Sequence, residues 1–327
     1  MRFSALGDVA MTLPVVYSLA KQYPDVHIDF ATTPFFARLF IAPPSNLEVH
    51  AYDLKKNFKG IAGAFRLFKK LNSLHPDAVA DLHNVGRTWI IDTLFRLKGV
   101  KTEMVDKMRK KRRLLIKSGV AQKPFIDRYF EVFSILGLPV KPEFKSLEAV
   151  SSPKDPDIRR PAVGIAPFAR YYNKTYPPDM TLQLSHLLSE KDINVYFFGG
   201  RGEEAEKLEE MASEIKNSES LAGRFTLEEE LALMKQMDVM VSMDSANHHL
   251  ASLMGTPVVS IWGSTTPACG FMAYGQKAEN ALVAGVSCQP CTVAGSPLCN
   301  RRNLDCFRQL EPQLIADKII SLLKEKK

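Results

Sequence analysis

Short β-branched apolar runs alternate with amphipathic stretches along the whole chain, and that alternation is the feature that most restricts its fold. Short apolar runs separated by helix-length segments describe βα units packed around parallel sheets. In the first half the expected strands are Val26 to Ala31, Ala78 to Asp81 and Met104 to Val105. The helices between and after them are expected at Leu13 to Gln22, Gly60 to Leu74, Thr88 to Leu97 and Phe125 to Leu136. The second half restarts with strands at Ala162 to Ile165, Asn194 to Phe198, Val239 to Val241 and Val258 to Trp262. Its helices are expected at Thr181 to Ser189, Glu203 to Ile215, Leu227 to Lys235, Asn247 to Leu253 and Pro312 to Lys324. The class is α/β, with two Rossmann-like halves and a cleft between them. Ligands of such sheets sit beyond the carboxyl ends of the strands.

A length of 327 residues suits two domains. The segment SSPKDPDIRRP, 151 to 161, has three prolines and no apolar period, so it reads as the linker. The expected organisation is an N-terminal domain over 1–150, a C-terminal domain over 162–310 and a closing helix over 311–327. Residues 1 to 150 carry 24 Lys or Arg against 14 Asp or Glu, and residues 151 to 327 carry 19 against 22, so the basic surplus lies wholly in the first half. That surplus favours an anionic partner. No apolar stretch approaches the ~18 residues of a membrane span and no signal peptide is evident, so a cytoplasmic protein is expected.

Several strand-end segments carry chemistry-bearing residues. The opening MRFSALGDV reads as the end of a strand, a tight turn at Leu6 and Gly7, then Asp8 at a helix mouth. Asp8 either caps that helix or acts as a cleft carboxylate accepting a proton from a hydroxyl, and the two roles are compatible. Only Met1 to Phe3 precede Ser4, which is short for a central strand, so the native chain is expected to begin further upstream. Lys174, in the loop after the Ala162 strand, is either solvated or placed to neutralise a phosphate as a leaving group becomes anionic. The turn FFGGRGE lacks the GxGxxG spacing and no GxxxxGK[ST] occurs, so dinucleotide oxidoreductases and P-loop enzymes lose their main support. Glu203 there either binds ribose hydroxyls or favours the helix dipole. In VMVSMDSANHHLASLMGTP, Asp244 and Ser245 start a helix whose free N–H groups form a phosphate site that Ser245 and His249 supplement. The alternative is an Asp N-cap followed by two partly exposed histidines.

The single Asp-x-Asp, Asp155 to Asp157, lies in the linker, and the adjacent His248 and His249 side chains are expected to diverge, so no catalytic metal is expected. Cys288, Cys291, Cys299 and Cys306 fall within 19 residues, and suit either a tetrahedral structural Zn²⁺ or a loop with free thiols. The run Lys107, Arg109, Lys110, Lys111, Arg112 and Arg113 has no interleaved aromatics and no nucleic-acid motif. It is a solvated loop, or a cleft rim suited to an acceptor bearing phosphates or carboxylates.

Taken in order, RFSALGDV with its TLP helix, KTYP, GG with a following glutamate, and DSANHHLASLMGTPVVSIWG followed by CxPC resemble glycosyltransferase family 9, the heptosyltransferases of lipopolysaccharide core synthesis. The resemblance spans almost the whole chain. It implies a GT-B fold and inverting, metal-independent transfer of a heptose or related sugar from an ADP-sugar, ADP-heptose foremost, to an anionic lipopolysaccharide precursor. Asp8 would be the catalytic base and Lys174 the phosphate lysine. Glu203 would be the ribose ligand, Phe225 would lie near adenine, and Asp244, Ser245, Ala246 and His249 would hold the diphosphate. Ser245 and Ala246 replace the usual Thr-Gly, and with Ala169 and Arg170 in place of hydroxyl residues, phosphate contacts shift toward Arg170. The basic first domain would bind the acceptor at the inner face of the cytoplasmic membrane, with peripheral contact and no nucleic acid. The competing readings are a nucleotide-sugar 2-epimerase of the same architecture and a non-catalytic binder of nucleotides or nucleic acid.

Overall fold

The computed structural model describes residues 1–148, 156–299 and 301–325. They divide into two compact units, Met1–Arg109 with Lys123–Lys145, and Lys110–Gln122 with Ser146–Lys327. Of the linker expected at 151–161, residues 151–155 lie outside the described residues, and Asp155 of the Asp-x-Asp pair with them.

In the first unit β1 (Ile28–Thr32) pairs in parallel with β2 (Leu47–Ala51), and β3 (Ala78–Asp81) with β4 (Lys101–Met104). Met1 and Arg2 link the two pairs through backbone hydrogen bonds. The Arg2 N–H donates to the Ala31 carbonyl (3.0 Å), the Leu82 N–H donates to the Met1 carbonyl (3.1 Å), and the Met1 nitrogen donates to the Ala80 carbonyl (2.8 Å). Helices α1 (Leu6–Ala10), α2 (Leu13–Gln22), α3 (Pro34–Ala37), α4 (Gly60–Asn72), α5 (Gly86–Leu97) and α7 (Phe125–Leu136) complete this unit. Helices α4 and α7 each bury one stripe. In α4 Ala64, Leu67 and Leu71 face inward, and in α7 Phe125, Tyr129, Val132 and Leu136 do so, at the three- and four-residue spacing of a single helix face.

The second unit holds a six-stranded all-parallel sheet of β5 (Ala162–Ala166), β6 (Asn194–Phe197), β7 (Ser218–Ser220), β8 (Val239–Met243), β9 (Val258–Trp262) and β10 (Ala281–Val283). Its spatial order is β10-β9-β8-β5-β6-β7. Helices α6 (Arg112–Ser118), α8 (Pro178–Ser189), α9 (Glu203–Ser213), α10 (Leu227–Gln236), α11 (Ala246–Leu253), α12 (Asp305–Arg308) and α13 (Pro312–Glu325) accompany it. The middle strands β5, β8 and β9 are buried at every position, which is why they read as continuous apolar runs. Their side chains join those of α8 and α13 in one core around Val163, Ile165, Leu184, Val241, Phe307 and Ile315.

Most expected elements stand within a few residues of their expected bounds, and the differences have physical causes. The outer strands β2, β7 and β10 went unseen because LEVHA, SES and ALV are short and partly exposed, so hydrophobic pattern does not mark them. Strand β4 begins at Lys101, ahead of the expected Met104, for the same reason. The solvated loop expected at Lys107 to Arg113 runs into α6. The tight turn expected at Leu6 and Gly7 is the start of the short helix α1, whose N-cap is Ala5. Asp8 is therefore inside the first turn, at its third position, and is not the cap.

Gly164 in β5 is packed from both sides. A Cβ there would stand 2.2 Å from Met240 Sδ and 2.8 Å from the Phe198 ring. Gly164→Ala should lower the unfolding free energy by about 1–3 kcal/mol through overpacking, seen as a reduced urea midpoint with an unchanged slope.

Candidate functional site

Renumbered along the second unit alone, its strands run 3-2-1-4-5-6, and the order reverses between β5 and β8. The region beyond the carboxyl ends of those two strands is the usual ligand position of a doubly wound sheet. Lys174 ends a short 3₁₀ turn (Tyr172–Lys174) in the loop after β5, and Asp244 follows β8 directly. Lys174 Nζ lies 2.8 Å from Asp244 Oδ2, and the Thr265 hydroxyl, in the loop after β9, donates to the same oxygen at 2.7 Å. The pair is largely dry, with the two side chains 13% and 6% exposed.

Asp244 thus does not cap α11. Ser245 occupies the N-cap without a side-chain cap bond, its hydroxyl 3.2 Å from that of Ser242. Ala246 opens the helix, so the first-turn N–H groups keep their hydrogen-bonding capacity at the positive end of the dipole, beyond the end of β8. The histidines depart from both expectations made for them. Both are buried, and their rings stack with centroids 5.4 Å apart at 24°, rather than diverging. Burial holds the His248 pKa well below the usual value, helped by the charges of His249 and Lys174, so that ring is neutral; it packs edge-on to Trp262.

Other expected ligands are less enclosed. Glu203 is exposed at the first position of α9 and pairs with Lys207 at 2.6 Å, while the neighbouring Glu204 accepts the Gly200 N–H at 2.8 Å. Arg170 is exposed with its guanidinium over Tyr171, and Arg224 lies over the half-buried Phe225.

The cysteine segment is stitched to the Lys174 loop. Asn173 Oδ1 accepts the Ser296 N–H (2.8 Å), Asn173 Nδ2 donates to the Leu298 carbonyl (3.2 Å), and the Cys291 N–H donates to the Ser264 carbonyl (3.0 Å). Gly295, at φ +95°, lets that segment press on the Lys174 stem, since a Cβ there would fall 2.6 Å from Lys174 Cδ. Burial raises the thiol of Cys291 and pushes that of Cys306 up to about 12, each aided by the neighbouring cysteines. Burial also works upward on Cys299, but the N–H groups of Leu304, Arg301, Arg302 and Asn303 outweigh it and hold this thiol below its ordinary value. Among the described residues no three of the four sulfurs gather within 4.8 Å.

In the first unit Asp8 meets a residue that sequence reasoning passed over. Arg2, 3% exposed, places Nη2 2.5 Å from Asp8 Oδ2 and is itself held by the carbonyls of Leu82 and Ser4, each at 2.6 Å. The Ala5 N–H donates to Asp8 Oδ2 at 3.2 Å. Arg2 lies in an extended segment bonded to Ala31 and, through Met1, to Ala80 and Leu82, where a buried arginine needs a carboxylate. Around this pair stand His83, whose Nε2 is 3.0 Å from the Ser4 hydroxyl, and Lys107 and Arg109 from the basic run. Burial, with Arg2 and Arg109 nearby, pulls the Lys107 ammonium down to about 8. Arg109 donates to the Asn84 carbonyl (2.7 Å) and lies over Trp89. The basic run is divided: Lys110 and Lys111, both exposed, belong to the second unit, where Arg112 and Arg113 open α6.

Burial, followed by the charges of Arg2 and Lys107, lowers the His83 pKa from 6.5 to about 3. Between those values the unfolded chain binds a proton that the native state refuses, so stability falls as pH falls from about 6.5 toward 3. His83→Gln should remove this contribution, of up to ~1.4 kcal/mol per pH unit, and flatten the acid limb of urea midpoints measured from pH 7 to pH 4.

The family model of glycosyltransferase family 9 (heptosyltransferase) matches residues 64–300. The lipopolysaccharide core heptosyltransferase OpsX of Haemophilus influenzae is 24% identical over 279 residues, 82% of this chain and 79% of that protein. Among solved structures, the family 9 glycosyl transferase of Veillonella parvula DSM 2008 superposes with a TM-score of 0.75 at 17% identity, over 99% of this chain and 96% of that one. The E. coli heptosyltransferase WaaC with ADP gives 0.68 at 17%, over 98% of each chain. These neighbours share the α/β architecture of parallel sheets, the GT-B fold. No helix among the described residues is long and apolar enough to cross a membrane. The extent of the family match, together with the order and chemistry of the strand-end residues, makes the chain a member of glycosyltransferase family 9, the heptosyltransferases, and an enzyme of glycosyl transfer.

Proposed function

We propose that the protein transfers a heptose from an ADP-sugar to an anionic lipopolysaccharide core precursor, with inversion and without a catalytic metal. The observation that carries this reading is the buried Lys174–Asp244–Thr265 cluster at the β5/β8 switch point, beside the open N-terminus of α11. In this reading the donor diphosphate takes Lys174 as counter-ion and the α11 N–H groups, Ser245 and His249 as donors. Arg170 reaches the phosphates, Glu203 the ribose and Phe225 the adenine. Asp8 takes the proton of the acceptor hydroxyl while that oxygen bonds to the anomeric carbon from the face opposite the diphosphate. The anomeric C–O bond breaks, its electron pair leaves with the β-phosphate, and ADP departs. Arg2 holds the Asp8 carboxylate in one orientation, and Lys107, Arg109 and Lys110 to Arg113 supply positive charge for the acceptor's phosphates and carboxylates. That charge also suits peripheral contact at the cytoplasmic face of the membrane. A structural Zn²⁺ on Cys288, Cys291, Cys299 and Cys306 would need their sulfurs drawn closer together than they stand, and would then cross-link the segment that presses on Lys174.

Asp8→Asn should abolish turnover and leave ADP affinity nearly unchanged by calorimetry. Lys174→Ala should cost roughly 2.7–4 kcal/mol of barrier and weaken ADP binding as well. A thermal-shift panel of ADP-, UDP-, GDP- and dTDP-sugars should show stabilisation by the ADP-sugar, because a ligand of the native state raises its melting temperature. A shift confined to UDP-sugars, or full turnover by the Asp8 variant, would overturn the reading.

A further inference from the structure

The first unit carries a second cluster of ligand-type side chains that the transfer reaction does not use. Strands β1 and β2 run parallel with Asp29 level with Glu48 and Ala31 level with His50. Alternate residues of a strand share a face, so His27 and Asp29 from one chain segment and Glu48 and His50 from the next line the same side of the sheet. His27 Nε2 lies 3.4 Å from Asp29 Oδ1 and 3.9 Å from Glu48 Oε2. His50 Nε2 lies 2.6 Å from the same Asp29 oxygen and 3.8 Å from Glu48 Oε1. One ligand atom each from His27, Asp29 and Glu48 fall within 4.8 Å of one another.

A tetrahedral ion with nitrogen and oxygen ligands at about 2.0–2.2 Å needs those atoms about 3.4 Å apart. Three of the six pairs among these four residues stand at 3.4, 3.8 and 3.9 Å, with Glu48 offering one oxygen to each histidine, and a fourth is the His50–Asp29 hydrogen bond, which an ion would replace. Two carboxylates offset the charge of a divalent cation, and two imidazoles select a borderline ion over Mg²⁺ or Ca²⁺. We propose that His27, Asp29, Glu48 and His50 bind a divalent transition-metal ion of the Zn²⁺ type and thereby fasten the outer strand β2 to β1. Asp29 and His50, 23% and 18% exposed, form the seat, with the His50 ring stacked near Tyr52 at 6.5 Å. His27 and Glu48, 61% and 62% exposed, close over it from the solvent side.

The probe is the metal alone, added to the full chain. Zn²⁺ titration by calorimetry should show an equivalent that is lost, or weakened on the order of tenfold or more, in His27→Ala, Glu48→Gln and His27→Ala/His50→Ala. Co²⁺ distinguishes this site from the cysteines, since thiolate ligands give an intense sulfur-to-metal charge-transfer band and imidazole and carboxylate ligands do not. The Co²⁺ bound in wild type but missing from the variants should lack that band. Metal-free melting and circular dichroism establish that the variants are folded; His27 and Glu48 are exposed enough that their single replacements serve if the double variant does not fold. Unchanged stoichiometry and affinity across the folded variants would overturn the proposal, as would a thiolate band accounting for all bound Co²⁺.

Discussion

A single carboxylate oxygen, Asp244 Oδ2, ties together three loops of the second unit. It receives Lys174 from the loop after β5 and Thr265 from the loop after β9, and itself hangs from the end of β8. Three adjacent strands of the sheet order therefore end in one shared polar contact, in a place with little water to weaken it. A buried pair of this kind adds little net stability, but losing one partner leaves the other charge stranded at a cost of about 3–5 kcal/mol. Such a contact is better understood as fixing geometry. The Asn173 and Gly295 contacts extend that fixation to the cysteine segment, so the position of one lysine is set by four separate stretches of chain.

The first unit repeats this logic with the charges exchanged. A buried arginine, anchored by two carbonyl groups, fixes the carboxylate of Asp8 in the first turn of a very short helix. The Ala5 N–H and the Arg2 guanidinium together define where that carboxylate sits. Burial, reinforced by the potential of the surrounding cations, lowers the His83 pKa and draws down Lys107.

Much of this arrangement was legible in the sequence, for identifiable reasons. Strands β5, β8 and β9 are buried on both faces and announce themselves as unbroken apolar runs, so the βα rhythm and the loops at the strand ends followed directly. Lys174 and Asp244 drew notice as polar residues following strands, and Asp8 as an acid at a helix mouth. What escaped was whatever depends on partners distant in sequence. Arg2 looked like an ordinary strand residue, Thr265 like one more polar loop residue, and Asp244 like a cap, because nothing local indicates that Lys174 claims its carboxylate. The stacking of His248 on His249 against Trp262 is likewise a product of packing, which overrides the divergence that helix geometry alone suggests.

The segment Lys110–Gln122 lies in sequence among residues of the first unit but packs with the second, where Gln122 donates its N–H to the Ala268 carbonyl at 2.8 Å. Cutting the polypeptide near its midpoint would consequently not yield two self-sufficient pieces. The amino-terminal fragment would carry a helix with apolar side chains and no neighbours to cover them, and the carboxy-terminal fragment would lack part of its own wall. Production of the halves as independent proteins calls for excising this excursion from one and grafting it onto the other.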